Sequence, residues 1–338
     1  MKNERTTIAK WDNFKFFLIL TVVIGHFFAR IDDLKTAKSI ILWIYSFHMP
    51  GFVFVSGLFS KRTIHEKRFD KIFSYLIMFF VAKYILFFLR LIRGGEPSLS
   101  YSKINDVSWY AFAIFVFYLL TIFLKQYHRV YVMTAAVVFA CLTGYVQDVG
   151  TFLSLSRIAA FYPFFLLGFY LNPADLIKVT DRWYCKILAV FIILQTAVIS
   201  FAKIDEVYWL LKICKGKFSY ADLAYGYKWG GLMRLAWYPV AMLIVLSLLA
   251  VTPSFHSIIT TWGSRTMQVY VLHYVPMLLF FDWFWGNARL QNLSSRQTLA
   301  VVLLTACFVT CVLSCRPVQI VMSQIIYPKK AIPEKQCR

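Results

Sequence analysis

The sequence predicts an all-α integral membrane protein, a polytopic bundle of about ten transmembrane helices. Hydrophobic residues make up 60% of the 338-residue chain and charged residues only 15%, whereas charged residues form about a quarter of an ordinary soluble domain. The apolar residues also occur in runs long enough to cross a bilayer, since about 20 helical residues span its hydrocarbon core. The basic residues cluster between these runs, as in loops that face anionic lipid headgroups.

Ten apolar windows are predicted to be spans. They cover residues 11–29, 39–60, 72–91, 107–124, 130–147, 157–172, 184–202, 229–251, 265–285 and 298–321. We treat the whole chain, 1–338, as one membrane domain with a short solvated tail at 328–338. The one long interruption, residues 203–228, is predicted to be either an interfacial helix and loop covering the outer mouth of the bundle or a plain connector.

The basic loops predict the orientation. The dense segment KRTIHEKRFDK, residues 61–71, lies between the second and third spans, and the segment before the first span is also basic. Early short loops weigh most in orientation, so both termini are predicted to be cytoplasmic. The first span is expected to stay in the protein, because no small-residue cleavage site precedes it. The expected location is a bacterial plasma membrane.

Two classes of partner are not indicated. The net charge of +20 does not predict nucleic-acid binding, because the basic residues form no folded basic domain. The seven cysteines show no CxxC or Cys/His spacing, so no metal is expected. The partner that the composition predicts is the lipid bilayer.

Ionisable side chains inside the apolar runs are the candidate functional residues, because such groups are costly at membrane depth. His26 lies in the first span, and Lys15, eleven residues earlier, shares its helix face, since eleven residues make three turns plus about 20°. His48 lies in the second span. Later spans add Arg157, Arg234 and His273.

Depth along the spans predicts that these side chains meet. His26 lies roughly 22 Å along the first helix, and His48 lies roughly 13 Å below the outer end of the second. By depth, His26, His48, Arg157, Arg234 and His273 line one cavity from the middle of the membrane to the outer leaflet. The alternatives are that the arginines only reach to the interface and that His48 and His273 only bond neighbouring helices.

Four segments resemble motifs of the acyltransferase 3 family of integral membrane O-acyltransferases. The stretch from Trp11 to His26, with Lys15 where the family usually has an arginine, resembles its first-helix motif. FHMPGFVFVSGLF, residues 47–59, resembles its second-helix motif, in particular that of the fucose 4-O-acetylase branch. WGSRTMQVYVLH, residues 262–273, and the segment from Arg157 to Gly168 resemble two later motifs.

The resemblance implies transfer of an acetyl group from cytoplasmic acetyl-CoA, a co-substrate, to a sugar hydroxyl of an extracytoplasmic or lipid-linked glycan. A hydroxyl must lose its proton to attack a thioester, and imidazole titrates in the right range for that task. His26 is the predicted base, with an acyl-histidine relay as the alternative. The predicted catalytic residues are His26, His48 and Arg157, the donor-binding residues are Lys15, Asp12 and Ser56, and the acceptor-binding residues are Arg234, His273 and Tyr270.

Two other functions agree less well with the sequence. A proton-coupled transporter would relay protons through His26, His48 and His273, but it needs acidic partners, and the spans hold almost none besides Asp282. A non-catalytic membrane platform has no need of several buried histidines.

Overall fold

The computed structural model describes residues 2–95, 99–147, 150, 152–223 and 227–326. It is 80% helical and contains no strand within these ranges, apart from an isolated bridge between Lys103 and Phe152. The helices are α1 Lys2–Phe28, α2 Lys35–Leu58, α3 Lys61–His65, α4 Phe69–Ile92, α5 Trp109–Leu124, α6 Arg129–Thr143, α7 Leu155–Tyr170, α8 Pro173–Thr180, α9 Trp183–Ala202, α10 Ile204–Val207, α11 Leu210–Lys215, α12 Gly230–Val251, α13 Ile258–Gly263, α14 Thr266–Leu272, α15 Tyr274–Gly286, α16 Ala288–Gln291, α17 Ser295–Leu313 and α18 Arg316–Ile326.

Several helices have the length and composition of membrane spans. Within the described residues, five are long and apolar enough to cross a bilayer: Lys35–Leu58, Phe69–Ile92, Trp183–Ala202, Tyr227–Val251 and Ser295–Leu313. Three shorter apolar helices, α5, α6 and α7, join them. Helix α9 exposes large apolar side chains along most of its length, which is typical of a helix that faces lipid. The predicted class, an all-α membrane protein with several spans, is confirmed in this form.

Two of the predicted spans are interrupted, in both cases close to a proline. The window 265–285 is divided into α14 and α15 just before Pro276, and the window 298–321 is divided into α17 and α18 just before Pro317. Proline has no N–H, so the carbonyl four residues earlier loses its helical partner. At the second break that carbonyl belongs to Leu313, and the side-chain amide of Gln268 donates to it at 2.7 Å.

The described residues between α9 and α12, 203–223 and 227–229, are folded. They form α10, α11 and two 3₁₀ turns, and Ile204, Leu211 and Cys214 are buried. Tyr220 is also buried and lies so close to Gly144 and Gly230 that a Cβ at either glycine would overlap its ring. The described part of this segment therefore packs on the bundle, and its placement over the outer mouth stays a prediction.

Polar contacts fix the first half of α1. The side-chain amide of Asn13 donates to the carbonyls of Pro253 at 2.9 Å and Phe255 at 3.0 Å, and the Thr260 hydroxyl donates to its oxygen at 2.7 Å. Gly263 packs on the backbone of α1, and a Cβ there would overlap the carbonyl oxygen of Asp12. These contacts determine where the side chains of α1 lie.

Helices α2 and α7 touch backbone to backbone. A Cβ at Gly57 would overlap the carbonyl oxygen of Phe165, and a Cβ at Gly168 would overlap the carbonyl oxygen of Phe54. Small residues allow membrane helices to approach this closely, and dispersion contacts between the backbones then hold them together. Each glycine belongs to one of the motifs identified in the sequence.

We therefore expect Gly57→Ala and Gly168→Ala each to destabilise the protein, because the added methyl group forces the two helices apart. Overpacking of this kind costs about 1–3 kcal/mol. Thermal unfolding of purified protein in detergent should show a clearly lowered midpoint for both variants. Gly286→Ala is the matched control, since a Cβ there meets nothing within 4 Å, and its midpoint should not fall. Equal midpoints for all three variants would contradict the close contact.

Candidate active site

All three predicted catalytic residues line one cavity. His26 on α1, His48 on α2 and Arg157 on α7 surround a space of about 200 Å³, which we call the histidine cavity. Segments outside these helices also contribute to its wall. They include Lys215 and Lys217 of the described residues between α9 and α12, which we call the folded cover. The predicted meeting of α1, α2 and α7 side chains is therefore present in the structure.

His26 lies among other aromatic rings. Its ring centroid is 5.2 Å from that of His273, 5.6 Å from Tyr274 and 6.3 Å from Tyr45. The His26 side chain is partly exposed to the cavity, whereas His273 is fully buried behind it. His26 therefore presents its ring to the cavity, and His273 supports it from the side of α14.

Backbone contacts fix the tautomers of the two buried histidines. Nδ1 of His48 lies 2.8 Å from the carbonyl oxygen of Ile44, and Nδ1 of His273 lies 3.0 Å and 2.8 Å from the carbonyl oxygens of Val269 and Tyr270. A carbonyl only accepts, so each Nδ1 donates and carries the proton. In the neutral rings, Nε2 is then an acceptor and a base.

Arg157 places a buried positive charge at the cavity wall. Its side chain is 7% exposed, and its guanidinium carbon lies 5.0 Å from the ring centroid of Trp109, a cation–π contact. Its Nη1 has no hydrogen-bond partner among the described residues. A buried donor without a partner is costly, so this group is suited to an oxygen of a ligand in the cavity.

Two tyrosines that the sequence analysis did not select belong to the site. Tyr45 lies 4.6 Å from His48 between ring centroids, and the Lys215 ammonium lies 5.4 Å from the Tyr45 ring. Tyr274 lines the cavity beside His26. The spacing held a signal for Tyr45, because a residue three positions before His48 shares its helix face.

A second cavity is lined by two of the three predicted donor-binding residues, Lys15 and Ser56, and by Tyr270, which was predicted to bind the acceptor; Asp12 is not among its described lining residues. It has a volume of about 350 Å³, and we call it the Lys15 cavity. Nζ of Lys15 lies 2.7 Å from the carboxylate of Asp12 on the next turn. Met49 lines both this cavity and the histidine cavity. Lys15 and His26 are about 16 Å apart along α1. A ligand that extends from one cavity into the other passes the side chain of Met49, which is flexible.

Two hydroxyls that line the Lys15 cavity, those of Ser56 and Tyr270, already have hydrogen-bond partners. The Ser56 hydroxyl lies 2.7 Å from that of Tyr110. The Tyr270 hydroxyl donates to the carbonyl of Val107 and accepts from the backbone N–H of Ala111, at the start of α5. Tyr270 therefore connects α14 to α5.

Arg234 is not brought to the histidine cavity. Its side chain is fully buried, Nη1 donates to the carbonyl of Ala140 at 3.0 Å, and Cζ lies 4.9 Å from the ring centroid of Tyr220. These contacts join α12 to α6 and to the folded cover. The prediction that it shares one cavity with His26 is not met, because Arg234 points from α12 towards α6.

A third cavity opens beside the histidine cavity. It has a volume of about 520 Å³ and shares Asn105, Asp106, Lys217 and Tyr274 with the histidine cavity. We call it the basic vestibule, because six cationic side chains line it: Arg30, Lys83, Arg90, Arg93, Lys103 and Lys217.

The vestibule contains a buried ion pair. Nζ of Lys83 on α4 lies 2.7 Å from the carboxylate of Asp106, and both side chains are largely buried. Burial alone would raise the pKa of Asp106, but hydrogen bonds from Lys83 and Ser108 lower it below the ordinary value. Asp106 is therefore a charged structural partner. Lys83 was missed in the sequence, although a lysine inside the apolar window 72–91 is the same signal that selected the histidines.

The described part of the chain contains no group of three or more His, Cys, Asp or Glu side chains placed to hold a metal. The chemistry that these cavities can support on their own is that of imidazole bases, a buried guanidinium and lysine charges.

The family model of the acyltransferase 3 domain matches residues 8–316. The chain belongs to the acyltransferase 3 family. The matched range includes every residue of the three cavities named above. Family membership supports membrane acyltransferase activity and does not favour the transporter. Comparison with curated proteins and with solved structures gives no match.

Proposed function

We propose that this acyltransferase 3 protein is an O-acetyltransferase that moves acetyl from acetyl-CoA to a sugar hydroxyl of an extracytoplasmic or lipid-linked glycan. The observation that carries the proposal is the position of His26, whose ring faces a cavity that adjoins the Lys15 cavity on one side and the basic vestibule on the other. Two substrates can thus approach one imidazole. The second-helix motif, residues 47–59, favours the fucose 4-O-acetylase branch.

The proposed topology has ten spans with both termini in the cytoplasm of a bacterium. Contacts between segments support the alternation. Trp11 packs on Phe59, and Lys10 pairs with Asp181, so segments assigned to the inner side meet one another. Lys217 bonds Asn105, both assigned to the outer side.

A reporter test decides this topology. A reporter enzyme fused after residue 66 should be active as a cytoplasmic reporter, and one inserted at residue 215 should be active as an external one. Residue 66 lies after α3 and residue 215 ends α11, so both fusions avoid the candidate spans. The reverse pattern would invert the proposed donor and acceptor sides.

The donor is proposed to occupy the Lys15 cavity. The Lys15 ammonium attracts the phosphates of coenzyme A, and Asp12, at 2.7 Å, fixes its direction. The family usually has an arginine here, and lysine keeps the charge but loses the planar fork for two parallel bonds. The thioester end then reaches His26 past Met49. Ser56 is the third proposed donor contact.

The proposed reaction balances as follows. The acceptor hydroxyl attacks the thioester carbonyl carbon while His26 takes its proton. The C–S bond then breaks, and the coenzyme A sulfur receives the proton from the His26 imidazolium. The products are an O-acetyl ester and free coenzyme A.

The developing oxyanion needs a donor, and the structure favours Arg157 over His48 for this role. Neutral His48 uses its N–H on Ile44 and offers only an acceptor to the cavity. Arg157 offers Nη1, which has no partner among the described residues. We propose that Arg157 stabilises the oxyanion and that His48 accepts a hydrogen bond from the acceptor. His273 supports His26. Of the three residues predicted to bind the acceptor, His273 is the one that lies beside His26.

We expect His26→Ala to lower the transfer rate by about 10²–10⁴-fold, the range of general acid–base catalysis. The assay uses purified membranes, labelled acetyl-CoA and a panel of glycans, with folding checked by thermal unfolding. His65→Ala is the matched control, because His65 is exposed on α3, and it should keep full activity. Undiminished transfer by folded His26→Ala protein would remove His26 from the mechanism.

The same assay separates the two possible roles of His26. An acyl-histidine relay leaves the acetyl label on the protein when acceptor is omitted, whereas direct base catalysis leaves none. Samples unfolded rapidly in denaturant at neutral pH, with and without acceptor, therefore distinguish the two, because an acylimidazole hydrolyses in acid.

The transporter is the weaker proposal on the structure as well. It needs carboxylates to exchange protons with the histidines. Among the described residues that line the histidine cavity, Asp106 is the one carboxylate, and it is bonded to Lys83.

A further inference from the structure

The basic vestibule concentrates more positive charge than its own carboxylates neutralise. Among the described residues, six lining cations face one lining carboxylate, Asp106, which pairs with Lys83. Arg93 pairs with Asp282. Arg157 and Lys215 add two more cations in the adjoining histidine cavity. Separate parts of the chain bring these charges together: the loop after α1, α4 itself, the segment after α4, and the folded cover.

Three of the vestibule cations have no carboxylate partner among the described ion pairs. The Arg30 guanidinium carbon lies 5.9 Å from the ring centroid of Tyr274. Nζ of Lys217 donates to the Asn105 side-chain oxygen at 3.1 Å. Lys103 is exposed at the rim. Arg30 and Lys217 contact neutral groups and Lys103 is exposed, so all three charges are available to an anion.

The surroundings of Lys217 disfavour its charged form. Burial, then Arg157 and Lys215, lowers the pKa of Lys217 to about 8. The pKa of Lys215 is also lowered, first by burial, although Asp32 acts against the shift. A bound anion would offset both the burial of these lysines and their repulsion by neighbouring cations.

The side of the membrane on which these cations lie is also unusual. In the proposed topology the vestibule lies at the outer face, where lysine and arginine are disfavoured in short loops. A converging set of cations at that face needs a reason other than orientation in the membrane, and a ligand supplies one.

We propose that the basic vestibule binds phosphate or carboxylate groups of the acceptor, so that the acceptor is an anionic glycan held with its hydroxyl at His26. This inference rests on the proposed transfer to a glycan and adds the charge of the acceptor. The vestibule lies next to His26 and shares four residues with the histidine cavity. The Lys15 cavity, which we assign to coenzyme A, is reached past Met49.

A binding experiment on the purified full chain tests the proposal without requiring acetyl transfer. The probes are fluorescent oligogalacturonate, which carries carboxylates, a fluorescent glycerol-phosphate oligomer, and a neutral dextran oligosaccharide of equal length. We expect both anionic probes to bind in a salt-dependent manner and the neutral probe to bind at least tenfold more weakly. Equal binding of all three would overturn the proposal.

Matched variants locate the binding. The triple variant Arg30→Gln, Lys103→Gln and Lys217→Gln should weaken both anionic probes at least tenfold. The control Lys61→Gln, Lys67→Gln and Arg129→Gln, which removes as many charges from the other end of the bundle, should not. The charge-preserving variant Arg30→Lys, Lys103→Arg and Lys217→Arg should retain binding, which separates lost charge from lost folding. Equal weakening by the triple variant and the control would overturn the proposal.

Competition identifies the source of the anion and tests the main rival. Displacement of the probes by geranylgeranyl diphosphate places the anion on a lipid carrier, and its failure to displace them places the anion on the glycan itself. Displacement by coenzyme A that is lost in the triple variant would instead make the vestibule the donor site and overturn the proposal. His26→Ala protein should bind the probes normally, so absence of transfer and absence of anion binding are separate results.

Discussion

The contact between Gly57 on α2 and Gly168 on α7 is the constraint on which the site depends. At that point the two backbones meet with no room for a Cβ. His48 lies about 14 Å along α2 from this contact and Arg157 about 16 Å along α7. The two residues therefore reach similar heights on helices that run side by side in the same direction. The histidine cavity lies at that height, between the imidazole of one helix and the guanidinium of the other.

Helix α1 adds the third wall, and its register is set at a distance from the chemistry. Asn13 and the backbone near Asp12 fix its first half against α13 and the loop before it. His26, farther along the same rigid helix, is then presented to the cavity in front of His273. Three spaces follow one another along the bundle as a result: the Lys15 cavity, the histidine cavity and the basic vestibule. That sequence of spaces is what an acyl transfer between two separately delivered substrates requires.

Much of this arrangement could be predicted from the sequence, and the failures have physical causes. Apolar windows located the main helices because hydropathy reports the solvent directly. They missed the breaks near Pro276 and Pro317, which a 20-residue average does not register. Depth alone grouped His26, His48 and Arg157 correctly. It also grouped Arg234 with them, because depth says nothing about which neighbour a side chain faces, and α12 turns that arginine towards Ala140. Lys83 lies inside an apolar window and could have been selected there, but its pairing with Asp106 could not be predicted, because the sequence does not connect that loop to α4.

In the proposed mechanism, donor and acceptor reach the same imidazole from opposite faces of the membrane. The most direct measurement uses sealed proteoliposomes of one orientation, with labelled acetyl-CoA in one compartment and an acceptor glycan in the other. We expect labelled glycan to form when acetyl-CoA is on the side of the N-terminus and the glycan is on the opposite side. No labelled glycan should form when the two compartments are exchanged. Transfer that occurs only when both substrates share one compartment would contradict it.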